Sequence, residues 1–239
     1  MIKLLTTTIA AALFISTAAF ADDITPPMNL DTLKAEIVKY HEDGAYLYDI
    51  QKIENNAQQY LAQRVKQNQK LAPQKKLAMV FDIDETALSN YQDMVAEGFG
   101  GASADFVVGQ AKAHDPVIEP SLHLYQYAIN HGVTVFFISG RSENQRSYTV
   151  KNLVNAGYTT AANSTQNCEN KTFSNTCVLF LRDGKFLHTS AIPFKSSMRS
   201  KIADAGYDIV INVGDQYSDL AGGYSEQTFK YPNFMYYIP

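Results

Sequence analysis

The chain has 239 residues, 46% of them hydrophobic, and a formal net charge of −4 at pH 7. This length can form one domain with a full core. The sequence has no basic block, which argues against binding to nucleic acid, so any anionic ligand must be held by local features.

The first 21 residues have the three parts of a secretory signal peptide. Lys3 precedes the apolar stretch 4–20, and Ala19-Phe20-Ala21 fits a cleavage site with small residues. A membrane anchor is the alternative, but the stretch is short for a span and contains several Thr and Ser residues. We expect cleavage after Ala21, a mature chain of residues 22–239 without a membrane anchor, and a periplasmic or secreted protein.

Residues 29–72 are predicted to form a helical extension that packs against the main domain. Apolar residues recur there at helical spacing on both sides of a break at Gly44. Four apolar runs then predict buried strands, at 77–81, 133–139, 178–181 and 209–213. Helical patterns lie between them, over about 119–130, 143–156 and 195–205. This alternation predicts an α/β fold with a parallel sheet and helices on both faces.

Two segments fall outside this alternation. Residues 89–118 fit no simple connection between a strand and a helix, and we interpret them as a small cap inserted after the first strand. The aromatic tail 229–239 is expected to pack as a final extended segment.

Polar clusters follow the first, second and fourth predicted strands, and one lysine opens the helix before the fourth. The residues concerned are Asp82, Asp84, Ser139, Gly140, Arg141, Lys195, Asp215 and Asp219. Because the carboxyl ends of parallel strands lie at one edge of a sheet, we expect the clusters to converge there.

The converging groups suit in-line phosphoryl transfer. Crowded carboxylates repel one another unless a cation lies among them, and a set of oxygen ligands favours Mg²⁺. Ser139, the Gly140 amide and Lys195 could bind an anion. Asp82 would be the nucleophile that forms an aspartyl phosphate. Asp84 would protonate the leaving alkoxide and later activate water.

Two further aspartates would complete this site. Asp215 would complete the metal shell, and Asp219 would support the metal water or Lys195. Without an acid/base partner, a carboxylate nucleophile would better suit halide displacement, so Asp84 favours a phosphatase.

Each cluster also has a simpler explanation. Asp82 could cap a helix, the turns at Ser139 and Asp215 could be ordinary turns, and Lys195 could be solvated. A calcium loop is less favoured, because the residues after Asp84 lack the required glycine.

The chain has two cysteines, Cys168 and Cys177. In an oxidising compartment a disulfide between them is expected, and a metal site is the weaker alternative because no histidine lies nearby.

Four segments of the chain resemble the motifs of haloacid dehalogenase superfamily phosphatases. The residue sequences of these segments are similar to those of the class B/C-type acid phosphatase group, which includes bacterial class C acid phosphatases and plant vegetative storage proteins. The segments are Phe81-Asp-Ile-Asp-Glu-Thr-Ala-Leu-Ser-Asn, Phe136-Phe-Ile-Ser-Gly-Arg-Ser-Glu, Phe194-Lys-Ser-Ser-Met-Arg and Gly214-Asp-Gln-Tyr-Ser-Asp-Leu. With the Tyr48-Asp49 region and the tail from Phe229, the likeness covers nearly the whole mature chain.

The resemblance implies a Rossmann-like core with a cap and Mg²⁺-dependent hydrolysis of small phosphate monoesters, with nucleotides among the candidates. It implies that Asp82 is the nucleophile and Asp84 the general acid/base. Ser139 and Lys195 would hold the phosphate, while Asp82, the main-chain carbonyl of Asp84, and Asp215 would bind the metal. A phosphotransferase and a non-catalytic storage or binding protein on the same fold remain alternatives. The sequence gives no indication of the oligomeric state.

Overall fold

The computed structural model describes residues 26–164 and 177–239. The predicted signal peptide, residues 1–21, and Cys168 lie outside these ranges. Within them, no helix is both long enough and apolar enough to cross a membrane.

Two helices, α1 (Leu30–Glu42) and α2 (Ala45–Asn68), form the N-terminal extension. Asn29 caps α1, because its side chain accepts a hydrogen bond from the Asp31 amide at 3.0 Å. Gly44 joins the helices with a φ of 81°, a conformation that glycine adopts without steric cost. α2 buries residues such as Ile50 and Leu61 in the same core as the sheet.

The core is a parallel sheet, as predicted. Its strands are β1 (Lys76–Phe81), β2 (Thr134–Ser142), β3 (Leu179–Arg182), β4 (Tyr207–Gly214) and β5 (Gln227–Lys230), in the spatial order β3-β2-β1-β4-β5. All four neighbouring pairs are parallel. β5 is an edge strand whose residues are exposed or half-buried, so it lacks the apolar run that identifies the other four.

Within the described ranges, six α-helices follow α2. They are α3 (Tyr91–Ala96), α4 (Ser103–Ala111), α5 (Glu119–Asn130), α6 (Arg146–Asn155), α7 (Ala191–Asp204) and α8 (Tyr217–Leu220). α3 and α4 lie within the predicted cap. α5 has the predicted bounds, whereas the first residues of the predicted helix 143–156 form a 3-10 turn.

Lys195 was predicted to open its helix, but α7 begins at Ala191 and Lys195 lies in its second turn. Pro193 precedes Lys195 in the same helix. It lies in the first turn, where a proline is tolerated because the amides there have no partner within the helix.

The chain changes direction across the sheet between β3 and β4, because it passes from β1 to β2 to β3 and then returns to the other side of β1. Right-handed crossovers therefore place α7 on the face opposite α5 and α6. The carboxyl ends of β1 and β4 border the crevice at this switch point, which is where open α/β sheets bind ligands.

Candidate active site

Three buried aspartates form an acidic cluster at the switch point. Asp82 follows β1, Asp215 follows β4, and Asp219 lies on α8. A carboxylate oxygen from each lies within 4.8 Å of the others, and none of the three residues is more than 6% exposed. Such a set of hard oxygen donors fits a divalent cation.

Lys195 inserts its ammonium group beside this cluster. Its Nζ forms ion pairs with Asp82 and with Asp219, the latter at 2.5 Å. Burial would lower the pKa of Lys195, but the charges of Asp219 and Asp82 outweigh burial and raise it. Burial raises the pKa of Asp82, against the opposing effect of Lys195. One positive charge thus offsets only part of the charge of three carboxylates.

Asp215 is held by amide side chains. Gln216 and Asn233 each donate to its Oδ2 at 2.7 Å, and Thr86 donates to Oδ1 at 3.3 Å. Burial, together with the charge of Asp219, raises the pKa of Asp215 to about 7. The cluster is therefore short of positive charge, as expected of a place that accepts a cation.

Asp84 has a different environment from Asp82. Its side chain, 21% exposed, forms an ion pair with Arg141, and the Nη2–Oδ1 distance is 2.7 Å. Asn90 and Gln110 also donate to Asp84 Oδ1, at 2.8 and 3.2 Å. Burial would raise the pKa of Asp84, but Arg141, the hydrogen bond from Asn90 and the charge of Lys195 together lower it. The surroundings of these two acids, two residues apart, thus shift their pKa values in opposite directions, upward for Asp82 and downward for Asp84.

Arg141 is itself buried and makes a second ion pair, with Asp115 at 3.1 Å. Its Nη1 donates to Thr149 Oγ1 at 3.3 Å. Arg141 therefore fixes Asp84 to the body of the fold.

The residues predicted to form a phosphate-binding turn lie in the last part of β2, which extends to Ser142 rather than ending at residue 139. Ser139 is completely buried, and its Oγ accepts from the Arg141 amide at 3.2 Å. Gly140 is exposed and lines the cavity, whereas Ser139 does not. The structure thus brings the turn to the predicted edge but places the Ser139 hydroxyl beneath the surface.

Asp82, Asp84, Lys195, Asp215 and Asp219 line a cavity of about 370 Å³. Met94, Phe106 and Val107 from the cap helices form one apolar wall. Tyr236 and Ile238 in the tail contribute to the lining as well. The site is therefore built from the sheet edge, the cap and the tail together.

The tail is fastened beside the site through Gln216. The Ile238 amide donates to Gln216 Oε1 at 3.1 Å, and Ser218 Oγ donates to the Ile238 carbonyl at 3.0 Å. The tail was expected to pack as an extended segment, and its role in lining the cavity was not predicted.

Several site residues were missed at the sequence level. Asn90, Gln110 and Gln216 are neutral amides, and only the position of Gln216 beside Asp215 gave a signal. Arg182 was also missed, because the third strand was predicted to end at residue 181 without a polar cluster. β3 ends at Arg182, and this arginine lines the cavity.

Comparisons with known proteins agree with this geometry. The model of a family described as HAD superfamily, subfamily IIIB (Acid phosphatase) matches residues 4–239. "Acid phosphatase 1" of Solanum lycopersicum is 39% identical over 66% of this chain and 58% of the relative. "Vegetative storage protein 1" of Arabidopsis thaliana is 27% identical over 89% of this chain and 74% of the relative. The chain thus spans less than two thirds of the first of these relatives.

A solved structure shares the fold. The class C acid phosphatase from Bacillus anthracis superimposes with a TM-score of 0.67 at 23% identity, and the match covers 87% of this chain and 86% of that one. This likeness supports the parallel α/β architecture described above.

Proposed function

The chain belongs to the acid phosphatases of HAD superfamily subfamily IIIB, and we propose that it hydrolyses phosphate monoesters through an aspartyl phosphate on Asp82. One observation carries this proposal. Asp82 lies in a buried acidic cluster with Lys195, while Asp84, two residues on, is held outside that cluster by Arg141. A nucleophile and a separate acid/base are the two groups that the reaction needs.

In the first step, an Asp82 carboxylate oxygen attacks phosphorus and the bond from phosphorus to the ester oxygen breaks. Asp84 gives a proton to the departing alkoxide, so that an alcohol leaves. In the second step, Asp84 takes a proton from a water molecule, which attacks phosphorus and releases phosphate. Asp82 is then restored.

Lys195 would stabilise the charge on the phosphoryl oxygens, and Gly140 would offer its amide at the cavity wall. The Ser139 hydroxyl, which lies beneath Gly140, would donate a hydrogen bond to the phosphate group. We propose Mg²⁺ as the cofactor, held by Asp82, Asp215 and the main-chain carbonyl of Asp84, with Asp219 close by. When bound, Mg²⁺ would neutralise negative charge on the phosphoryl group and orient it for in-line attack.

The proposal also includes the location of the protein and a disulfide bond. A periplasmic or secreted location is supported by the signal-peptide pattern of residues 1–21. A disulfide between Cys168 and Cys177 suits that compartment. Cys177 is buried just before β3. Thiol labelling of the mature protein, unfolded in the absence of a reductant, should find no free thiol.

The test is turnover of phenyl phosphate by the purified mature protein. Asp82→Asn should abolish turnover, because an amide is a poor nucleophile, while the fold persists. Asp204→Asn, at an exposed carboxylate at the end of α7, should keep the parent rate. Parent-rate hydrolysis by the Asp82 variant would disprove the covalent role of this residue.

The same assay separates the alternatives. A phosphotransferase would convert an added alcohol to its phosphate ester, which product analysis detects. A storage or binding protein is the second candidate, favoured by the similarity to a vegetative storage protein. It would show no turnover and would not bind a fluoride-based phosphate mimic.

A further inference from the structure

We propose that Arg182 forms a second anion-binding subsite in the cavity and selects phosphate monoesters whose alcohol part carries a carboxylate or a second phosphate. This inference rests on the proposed function, because it names the substrate class of the same site. It follows from the charges, hydrogen bonds and position of the cations that line the cavity.

Three cationic side chains of the described residues line the cavity, and two of them already have carboxylate partners. Arg141 pairs with Asp84 and Asp115, and Lys195 pairs with Asp82 and Asp219. Arg182 has no carboxylate within 4.0 Å among residues 26–164 and 177–239. It is therefore the cation on this wall that is available for an anionic ligand.

The hydrogen bonds of Arg182 lead to the same conclusion. Its Nη2 donates to the Thr189 carbonyl at 2.9 Å, but its Nε is buried and has no partner within the described part of the chain. Burial lowers the pKa of Arg182, with no carboxylate to oppose this effect. A buried donor without a partner is costly. An anion that accepts a hydrogen bond from this guanidinium would therefore gain more binding free energy than it would from a fully solvated guanidinium.

The position of Arg182 separates it from the reacting phosphoryl group. It ends β3, two strands away from the strand that leads to Asp82. Strands are spaced about 4.8 Å apart, so the two backbones lie about 10 Å from each other. Phe106 and Val107 line the cavity as well. An ester bound with its phosphoryl group at Asp82 could extend its alcohol part past these side chains toward Arg182.

Three esters test this subsite: phenyl phosphate, 4-carboxyphenyl phosphate and 1,4-phenylene bisphosphate. In Arg182→Gln, kcat/KM for at least one of the two esters whose alcohol part carries an anionic group should fall about tenfold or more, since hydrogen bonds to charged groups are worth that much. For phenyl phosphate it should change by less than about twofold. The ester that loses more identifies the preferred anion. Lys185→Gln, which removes a nearby positive charge that does not line the cavity, should leave all three unchanged.

An equal loss for all three esters would overturn the proposal, because Arg182 would then serve the transferred phosphoryl group. No loss for any ester would overturn it as well. Thermal unfolding of both variants controls for misfolding.

Binding of phosphonates gives a second readout that needs no turnover. Calorimetry should show that the parent binds 4-carboxybenzylphosphonate more tightly than benzylphosphonate, and that Arg182→Gln removes the difference. If the parent hydrolyses none of the esters, the proposed function fails, but this comparison still decides whether the anion subsite exists.

Discussion

Arg141 binds Asp84 through two of its nitrogens, with Nε at 3.1 Å from Oδ2 and Nη2 at 2.7 Å from Oδ1. The same guanidinium reaches Asp115, so one side chain holds two carboxylates on different segments. A lysine offers a single point charge and cannot reproduce this fork.

Arg141→Lys should therefore reduce kcat by at least about tenfold, because lost hydrogen bonds to charged groups cost about 1.5–3 kcal/mol and Asp84 loses its orientation. Steady-state kinetics would show it. Arg146→Lys is the matched control, since Arg146 is also buried but pairs with Glu143 and does not line the cavity. It should lower the melting temperature and leave kcat of the folded protein unchanged. A parent-like kcat in Arg141→Lys would show that this ion pair does not position Asp84 as the proposed acid/base.

Divalent cations should control both activity and stability. Excess chelator should abolish turnover, and added Mg²⁺ should raise the melting temperature, since a ligand at 100 times its Kd stabilises the native state by about 2.7 kcal/mol. Calorimetric scans at matched ionic strength check this. Asp215→Asn should shift the Mg²⁺ dependence to higher concentration, because one carboxylate of the cluster is lost. Undiminished turnover in excess chelator would rule out the cation.

We expect the buried Glu54 to make the stability of the protein depend on pH. It lies on α2, is 3% exposed, and neither carboxylate oxygen has a hydrogen-bond partner among the described residues. Burial raises its pKa well above the usual value. The unfolded chain therefore releases this proton at a lower pH than the folded chain, and stability falls as the pH rises above about 4.3. Tyr158 is the neighbouring titratable group, and its hydroxyl donates to the Ala87 carbonyl.

Glu54→Met should remove this dependence. The variant should gain about 1–3 kcal/mol of unfolding free energy at pH 7, the cost of a buried polar group without a partner, and less at pH 4. Denaturant titrations at both pH values would measure the difference. Glu36→Met, at an exposed position on α1, should gain the same small amount at both. An equal gain at both pH values in Glu54→Met would show that this carboxyl does not titrate differently on unfolding.

Removing the tail after Asn233 should weaken substrate binding more than it slows chemistry. Asn233 keeps its contact with Asp215, while Tyr236 and Ile238 disappear from the cavity. We expect KM for phenyl phosphate to rise about tenfold, the effect of losing roughly 1.4 kcal/mol of contact. Tyr224→Ala, an exposed tyrosine outside the cavity, is the control and should leave KM unchanged. A truncated protein with the parent KM would mean that the tail does not contact the substrate.

The sheet could be predicted because its strands are continuous apolar runs, and the parallel arrangement then brings their carboxyl ends together. That reasoning anticipated the proximity of Asp82, Asp215 and Lys195. The search for apolar runs missed β5, because an edge strand need not be apolar. The same search missed Arg182, because the apolar run ends one residue before β3 does.

The environment of Asp84 could not be predicted from the sequence, for a different reason. The chain leaves the strand after Phe81, and Glu85 adopts a φ of 56°, so simple alternation no longer tells where Asp84 points. Asn90 and Gln110 then reach it from the cap. Hydrogen bonds between neutral amides and carboxylates leave no periodic pattern in a sequence, and the partners come from separate elements.

The fastening of Ile238 to Gln216 and Ser218 has a consequence for biosynthesis. Asp82 and Asp84 leave the ribosome long before Tyr236 and Ile238, which line the same cavity, so a nascent chain can carry the proposed nucleophile without a finished site. The cavity can be completed only after residue 238 has emerged, so its assembly follows the synthesis of all five described strands.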